Sequence, residues 1–388
     1  MKDDRLFDRL EQLFRLGGGR GANRPAYSEA EEEAHRLVAG WMHEAGLDVE
    51  RDAAGNLYGR LTGLRPELGE VWTGSHLDSV PEGGRFDGPL GVLGGIEAVE
   101  RLGAQERTVC VVAFRDEEGW RFGRGCFGSR ALCGQLEPGE LETVDDDGVK
   151  LRDAVGRVLP ASGALAPLPA AYIELHIEQG PVLAAAGAPL GVVTAIVGLA
   201  RLAVTFSGSA GHAGTTPMEG RDDALCKAAE FVLHVRDAAA AREGAVATVG
   251  RLAVEPGAAN VIPDRVSLLV DARAPEEATL AALLAEIEAG AAGAAVERLR
   301  RTEPVPMAAA VRSALSEALA ERGLDAPELH SGAGHDAGVI GTAGVASGML
   351  FVRSLAGGVS HSPDEESSPE DVALAVDVLA ATLRRLAA

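Results

Sequence analysis

Apolar and polar positions follow two rhythms along the chain. Short runs that are apolar throughout, or at every second position, and bounded by turn residues predict strands at 57–61, 71–74, 108–114, 171–177, 201–206, 247–254 and 265–273. Longer stretches with apolar residues three or four apart predict helices at 27–46, 88–103, 221–242, 276–289, 308–322 and 369–387. YSEAEEEAHRLVAGWMHEAG (27–46) is the clearest of these: Ser28 can cap it, acidic residues fill its first turn and Gly46 ends it. Strands interleaved with helices predict an α/β architecture with a mostly parallel sheet. From about 199 to 303 the order changes to strand, helix, strand, strand, helix and a strand-like tail, a ferredoxin-like α+β order able to close its own core. The flanks VVTAIVGLARL and RRTEPVPM read as crossing points. The expected organisation is a main domain in two parts, 1–198 and 304–388, with a second domain inserted at 199–303.

At 388 residues and 46% hydrophobic, the chain can bury one large core or two ordinary ones. A formal charge of −22 argues against a nucleic-acid partner, which needs clustered Lys and Arg. Cys110, Cys126, Cys133 and Cys226 show no CxxC spacing and are too sparse to staple the fold; buried free thiols in a reducing compartment are expected. The segment MKDDRLFDRLEQLFRL is charged throughout and amphipathic, unlike a secretory signal. No run of about 18 residues is apolar enough to span a bilayer, so the expectation is a cytoplasmic protein with no membrane partner. GGGRG at 17–21 follows a helical pattern rather than a strand, which disfavours a phosphate loop.

The candidate chemistry gathers where strands end. TGSHLDSVPEGGRFDG (73–88) carries His76, Asp78 and Asp87 among glycine, serine and proline, with few side chains to bury them. EVWTGSH runs out of apolar residues at His76, TVCVVAF stops just before RDEEG, and AYIELHIEQG delivers His176. GGVSHSPDE offers His361 in a glycine-flanked loop that could fold over the same edge. Ligand sites of open α/β sheets lie at such carboxyl ends. Any one of these residues alone could be an ordinary loop residue, but together they supply the imidazoles and carboxylates that a divalent transition ion takes. A second ion about 3.5–4 Å from the first needs a shared carboxylate, a part that suits Asp87. Asp78, two residues after His76, is placed to accept the other ring N–H. The adjacent Glu117 and Glu118 repel each other unless a cation or a proton separates their duties, so one can bind metal while the other handles protons. Zinc is the first choice of metal, and manganese, cobalt and nickel are also compatible with this donor set.

The motifs GSHLDSVPEGGRFDGPLGV, DEEGWRFGRGCFGSRAL, ELHIEQGP, GSAGHAGTTPM, GAANVIPDRVSLLVDAR, GAGHDA and GVSHSPDE resemble the zinc-dependent amidase, hydantoinase and carbamoylase family. That group contains N-carbamoyl-L-amino-acid hydrolases, allantoate amidohydrolases and β-ureidopropionases, within the superfamily of dinuclear-metal exopeptidases and aminoacylases. The resemblance covers nearly the whole chain. It implies two divalent metal ions, one held by His76, Asp87 and His176 and the other by Asp87, Glu118 and His361. Glu117 would then be general base and acid, taking a proton from the attacking water and returning it to the departing nitrogen. His212, in SGSAGHAGTTP, would support the oxyanion. Asn260 and Arg273 would grip a substrate carboxylate, and Gln179 would read a carbamoyl nitrogen. For Arg273 the alternative is a salt bridge to Asp271 or Asp264. With metal residues and substrate grip on different domains, the inserted domain would act as a lid and, by resemblance, as a homodimer interface. The implied substrate is a small ureido carboxylate: an N-carbamoyl-L-amino acid or, as the alternative, allantoate. His176 stands where peptidase-like relatives carry a carboxylate, which disfavours a peptidase or N-acylamino-acid hydrolase, and a non-catalytic metal-binding relative would have no need of Glu117. FVRS departs from the usual FVPS, placing Arg353 near the expected pocket and leaving substrate choice open.

Overall fold

The computed structural model describes residues 2–159 and 163–388. It divides into two compact units, one formed by Met1–Thr194, Pro306–Leu329 and His335–Ala388, the other by Ala195–Val305 with His330–Gly334. The second unit is longer than the 199–303 segment expected from the sequence and takes in a short stretch far along the chain.

The first unit is built on a nine-stranded sheet whose order begins Asp48–Arg51, Leu57–Leu61, Val109–Phe114, Val71–His76, Ala171–Ile177, Ala346–Val352 and Leu190–Ile196. The first two pairings are antiparallel, and so is the pairing of the last two strands. The four central strands run parallel, with His76 beside Phe114 and His176 beside Phe351. They read as continuous apolar runs because both faces are covered. Helix Pro89–Val99 is buried along its whole length, while Glu29–Glu44 and Pro369–Leu386 bury one stripe each. Leu90, Ile96, Val111, Ile173, Leu175, Leu350, Val376 and Leu379 are among the residues that close this core, each burial stabilising the fold by roughly 1.5–3 kcal/mol. Ser28 caps its helix as expected, accepting a hydrogen bond from the Glu31 N–H. Because the central strands are parallel, their carboxyl ends share one edge, and His76, Glu117, His176 and the segment leading to His361 all emerge there.

The second unit is a four-stranded antiparallel sheet in the order Ala295–Thr302, Gly198–Ser207, Arg265–Ala274, Val246–Glu255. Along Gly198–Ser207 the alternate residues Ala200, Leu202, Val204 and Phe206 are buried. They share one core with Phe231 and Val235 of helix Ala224–Ala240 and with Leu280, Leu283, Leu284 and Ile287 of helix Glu277–Gly290. A period of two meets a period of 3.6 across one apolar layer.

The cysteines are free, but only Cys110 is fully buried; Cys126 and Cys133 are half-buried and Cys226 is exposed, which corrects the expectation for that residue. Cys226 lies in the first turn of helix Ala224–Ala240, on the side turned from the core. Among the described residues no helix is long and apolar enough to cross a membrane.

Candidate metal centre

His76 is the last residue of its strand and His176 the last but one of its own. His76 Nδ1 lies 3.1 Å from the backbone carbonyl of Asp78, and His176 Nδ1 lies 2.9 Å from that of Ile177. A ring nitrogen facing a carbonyl must carry the proton, so each neutral ring presents the lone pair of Nε2. Both lone pairs face Asp87: its Oδ1 is 3.2 Å from His176 Nε2 and 3.7 Å from His76 Nε2. The other carboxylate oxygen, Oδ2, is 3.2 Å from His361 Nε2, which in turn is 3.3 Å from Glu118 Oε2. The two oxygens of Asp87 therefore serve two clusters, His76–Asp87–His176 and Asp87–Glu118–His361, in each of which the ligand atoms lie within 4.8 Å of one another. The first cluster is buried, whereas His361 is half exposed. His176 Nε2 is buried without a hydrogen-bond partner, a cost that a divalent ion would remove. By donor type, tautomer and spacing, these residues fit a pair of ions.

The loop that carried the sequence argument is not solvated. His76, Asp78 and Asp87 are all buried, covered by segments distant in sequence rather than by their small neighbours. Gly88, at φ +81°, has no alternative in this turn, since a Cβ there would fall 2.5 Å from the His76 ring. Asp116, Gln179 and His361 also adopt left-handed backbone, at φ 53°, 56° and 53°. Each costs on the order of 1–2 kcal/mol, strain of the kind found where a fold must aim a functional side chain.

Asp78 does more than expected. Its carboxylate accepts the backbone N–H groups of Glu117 and Glu118, each at 3.1 Å, and so fixes the peptide carrying both glutamates. The expected contact with the His76 ring is the longer one, 3.4 Å, and the nearer partner of Nδ1 is the Asp78 carbonyl. Glu117 Oε2 stands 3.8 Å from His76 Nε2, and Glu117 Oε1 accepts the Cys126 thiol at 3.5 Å. Burial, with Asp336, Glu118 and Asp78 nearby and His76 opposing, holds the Glu117 carboxyl well above its usual range. Burial and then the Asp87 charge push Glu118 up to about 7. Burial acts against the Asp87 charge too, but with no ion bound and the rings protonated, His176, His361 and His76 outweigh it and hold that carboxyl well below the usual range; a metal ion takes the place of those protons when the rings are neutral. Crowded acids of this kind are the setting in which a cation is accommodated at least expense.

Gln179 Nε2 donates to Asp87 Oδ2 at 3.0 Å and to Ser360 Oγ at 3.0 Å, so in this structure it holds the shared carboxylate. The Arg353 guanidinium pairs with Asp371 at 2.7 Å, in the first turn of helix Pro369–Leu386. Within the second unit, His212 pairs with Val261 in a two-residue ribbon, and the Asn260 carbonyl accepts the Ala213 N–H. The Gly214 N–H donates to His212 Nδ1 at 3.1 Å, which leaves the proton of a neutral ring on Nε2, as an oxyanion donor requires. Arg273 takes the expected alternative partner: Nε bonds Asp271 at 2.7 Å and Nη1 the Gly332 carbonyl at 2.7 Å.

Several residues at the site escaped the sequence reading. His335 packs edge-on against His176, with ring centroids 4.5 Å apart. Glu174, His176 and His335 form a further buried group, but both Glu174 oxygens already accept protein donors, Ser75 Oγ at 2.8 Å and the Ala337 N–H at 2.9 Å. Glu174 thus buttresses the His76 and His176 strands. Asp336 accepts Ser129 Oγ at 2.5 Å. The glycine-flanked GAGHDA carried the same local signal as the His361 loop and could have marked His335 and Asp336; nothing local marked Glu174.

Fold and site together define a mixed α/β protein with two His/Asp/Glu clusters fit to hold metal ions along the carboxyl edge of a largely parallel sheet. The chain belongs to peptidase family M20/M25/M40, which it matches over residues 72–385. It is 42% identical to the N-carbamoyl-L-amino acid amidohydrolase of Geobacillus stearothermophilus, over 100% of this chain and 99% of that one. It is 36% identical to the allantoate amidohydrolase of Bacillus subtilis, over 98% and 97% of the two chains. An amidase of the hydantoinase/carbamoylase family from Burkholderia multivorans superposes with a TM-score of 0.92 at 34% identity, covering 99% of this chain and 98% of the other.

Proposed function

We propose that the protein is a cytoplasmic, metal-dependent amidohydrolase that cleaves the ureido C–N bond of N-carbamoyl-L-amino acids, giving the amino acid, ammonia and carbon dioxide. The observation that carries this reading is the full-length likeness to N-carbamoyl-L-amino acid amidohydrolases in a chain that places Glu117 beside two clusters sharing Asp87. Two divalent ions, zinc first, would be held by His76, Asp87 and His176 and by Asp87, Glu118 and His361, where they would supply Lewis acidity for the carbonyl and a more acidic water. Glu117 takes the proton of the attacking water and returns it to the departing nitrogen, a role that suits a carboxyl whose proton affinity burial has raised. Asp78 keeps Glu117 and Glu118 apart in duty by fixing the peptide between them. His212, with its proton on Nε2, stabilises the oxyanion, and Asn260 and Arg273 grip the substrate carboxylate. The second unit, ferredoxin-like in its strand order, is read as lid and homodimer interface.

Allantoate is the second reading, favoured by the Bacillus subtilis relative of matching length, because it too joins a carboxylate to a ureido group. Ammonia release from N-carbamoyl-L-amino acids, allantoate and ureidoglycolate, with release of the free amino acid from N-acetylamino acids measured beside it, separates these readings. The highest kcat/KM is expected on a carbamoyl amino acid. Cleavage of N-acetylamino acids with no ammonia from any ureido acid would overturn the assignment.

A further inference from the structure

One buried carboxylate at the site has no part in the chemistry above. Glu365 is 4% exposed. Its Oε1 accepts the backbone N–H groups of Phe86, at 2.7 Å, and Asp87, at 3.1 Å. Its Oε2 accepts the Ser360 hydroxyl at 2.8 Å. Ser360 has one proton; given to Glu365, it leaves the Ser360 oxygen to accept from Gln179 Nε2, whose second N–H reaches Asp87 Oδ2. The chain of donors therefore runs from Gln179 through Ser360 to Glu365 and starts and ends on Asp87, on its carboxylate at one end and on its backbone at the other. Gly84 is open to this arrangement for want of a side chain, since a Cβ there would fall 2.1 Å from the Glu365 carboxyl carbon.

We propose that Glu365 is a positioning residue that ties the loop of the shared ligand Asp87 to the loop of His361, and so sets how strongly the second metal ion is held. It touches neither substrate nor metal. It acts by fixing where Asp87 and His361 stand relative to each other across 273 intervening positions, a span over which only tertiary contacts can set a distance. The inference rests on the reading of Asp87 as ligand to both ions.

The test is metal binding, not turnover. Metal-stripped protein is titrated with Mn²⁺ in competition with a chelating dye, for wild type, Glu365→Gln and Ser360→Ala, and the melting temperature of each metal-free protein is taken alongside. Wild type is expected to bind two ions. In Glu365→Gln the weaker ion's Kd is expected to rise about 10–100-fold, the usual effect of removing a group that orients ligands. The tighter ion should be affected less, Ser360→Ala should shift the weaker ion in the same direction by a smaller factor, and metal-free melting should stay close to wild type. Both Kd values within about twofold of wild type would overturn the proposal, as would a metal-free protein that melts well below wild type with its metal affinities unchanged. Wild type binding fewer than two ions would instead refute the two-ion reading of the site, whatever the variants do.

Discussion

At the scale of single residues, the imidazoles and carboxylates that the structure brings together were legible because their chemistry is carried by residue types. Imidazoles and carboxylates placed where apolar runs stop, as at His76, Glu118 and His176, mark a sheet edge whatever the rest of the fold does. Glu365 and Glu174 were not legible, because each works by accepting hydrogen bonds from segments distant in sequence, and nothing beside them announces that. The partner of Arg353 was not legible for the same reason: Asp371 lies in the first turn of a helix distant from the motif. Arg273 shows both sides of the problem. Asp271 and Gly332 tie down Nε and Nη1, while Nη2 has only a 3.5 Å contact with Asp271, so the side chain is held in place with one edge still able to donate. Arg273→Lys keeps the charge and loses the fork, so kcat/KM should fall for ureido acids while amide analogues of the same substrates barely change. An equal fall for both would mean that the salt bridge alone is what the residue provides.

At the scale of elements, the apolar rhythm located the long helices and most central strands to within a few residues, since burial on both faces or on one stripe leaves a strong pattern. Ala346–Val352 and Leu190–Ile196 were passed over, although both are apolar runs, because each follows closely on glycine or proline and could equally be buried loop. Asp48–Arg51 is a half-exposed edge strand of three charged residues and one valine and has almost no pattern to show. The turn between strand Val71–His76 and helix Pro89–Val99 is the element on which the first cluster depends. Gly88→Ala would force a Cβ against the His76 ring at a φ that alanine resists, and metal affinity is expected to fall by about 10-fold or more, measured by chelator competition. Unchanged affinity would show that the turn can move without disturbing the ligand.

At the scale of the molecule, a catalytic role for His212 requires the second unit to reach a metal centre, and in a two-fold dimer each subunit can complete its partner's site. Glu117→Gln and His212→Ala chains, each nearly inactive alone, are dissociated, mixed and reassociated. Random pairing makes half the dimers mixed, each with one intact site of two, so activity should recover to about a quarter of wild type. No recovery, with mixed dimers confirmed by mass, would rule out the cross-subunit role of His212. The most direct measurement of all is the metal content and ammonia release of Glu117→Gln beside Glu118→Gln, on an N-carbamoyl-L-amino acid. Glu117→Gln is expected to keep two ions per chain and lose at least ~10²-fold in kcat, the scale of general acid–base catalysis, while Glu118→Gln loses metal. Equal metal loss in both variants, or a Glu117→Gln protein that still releases ammonia at the wild-type rate, would contradict the division of labour on which the proposed hydrolysis rests.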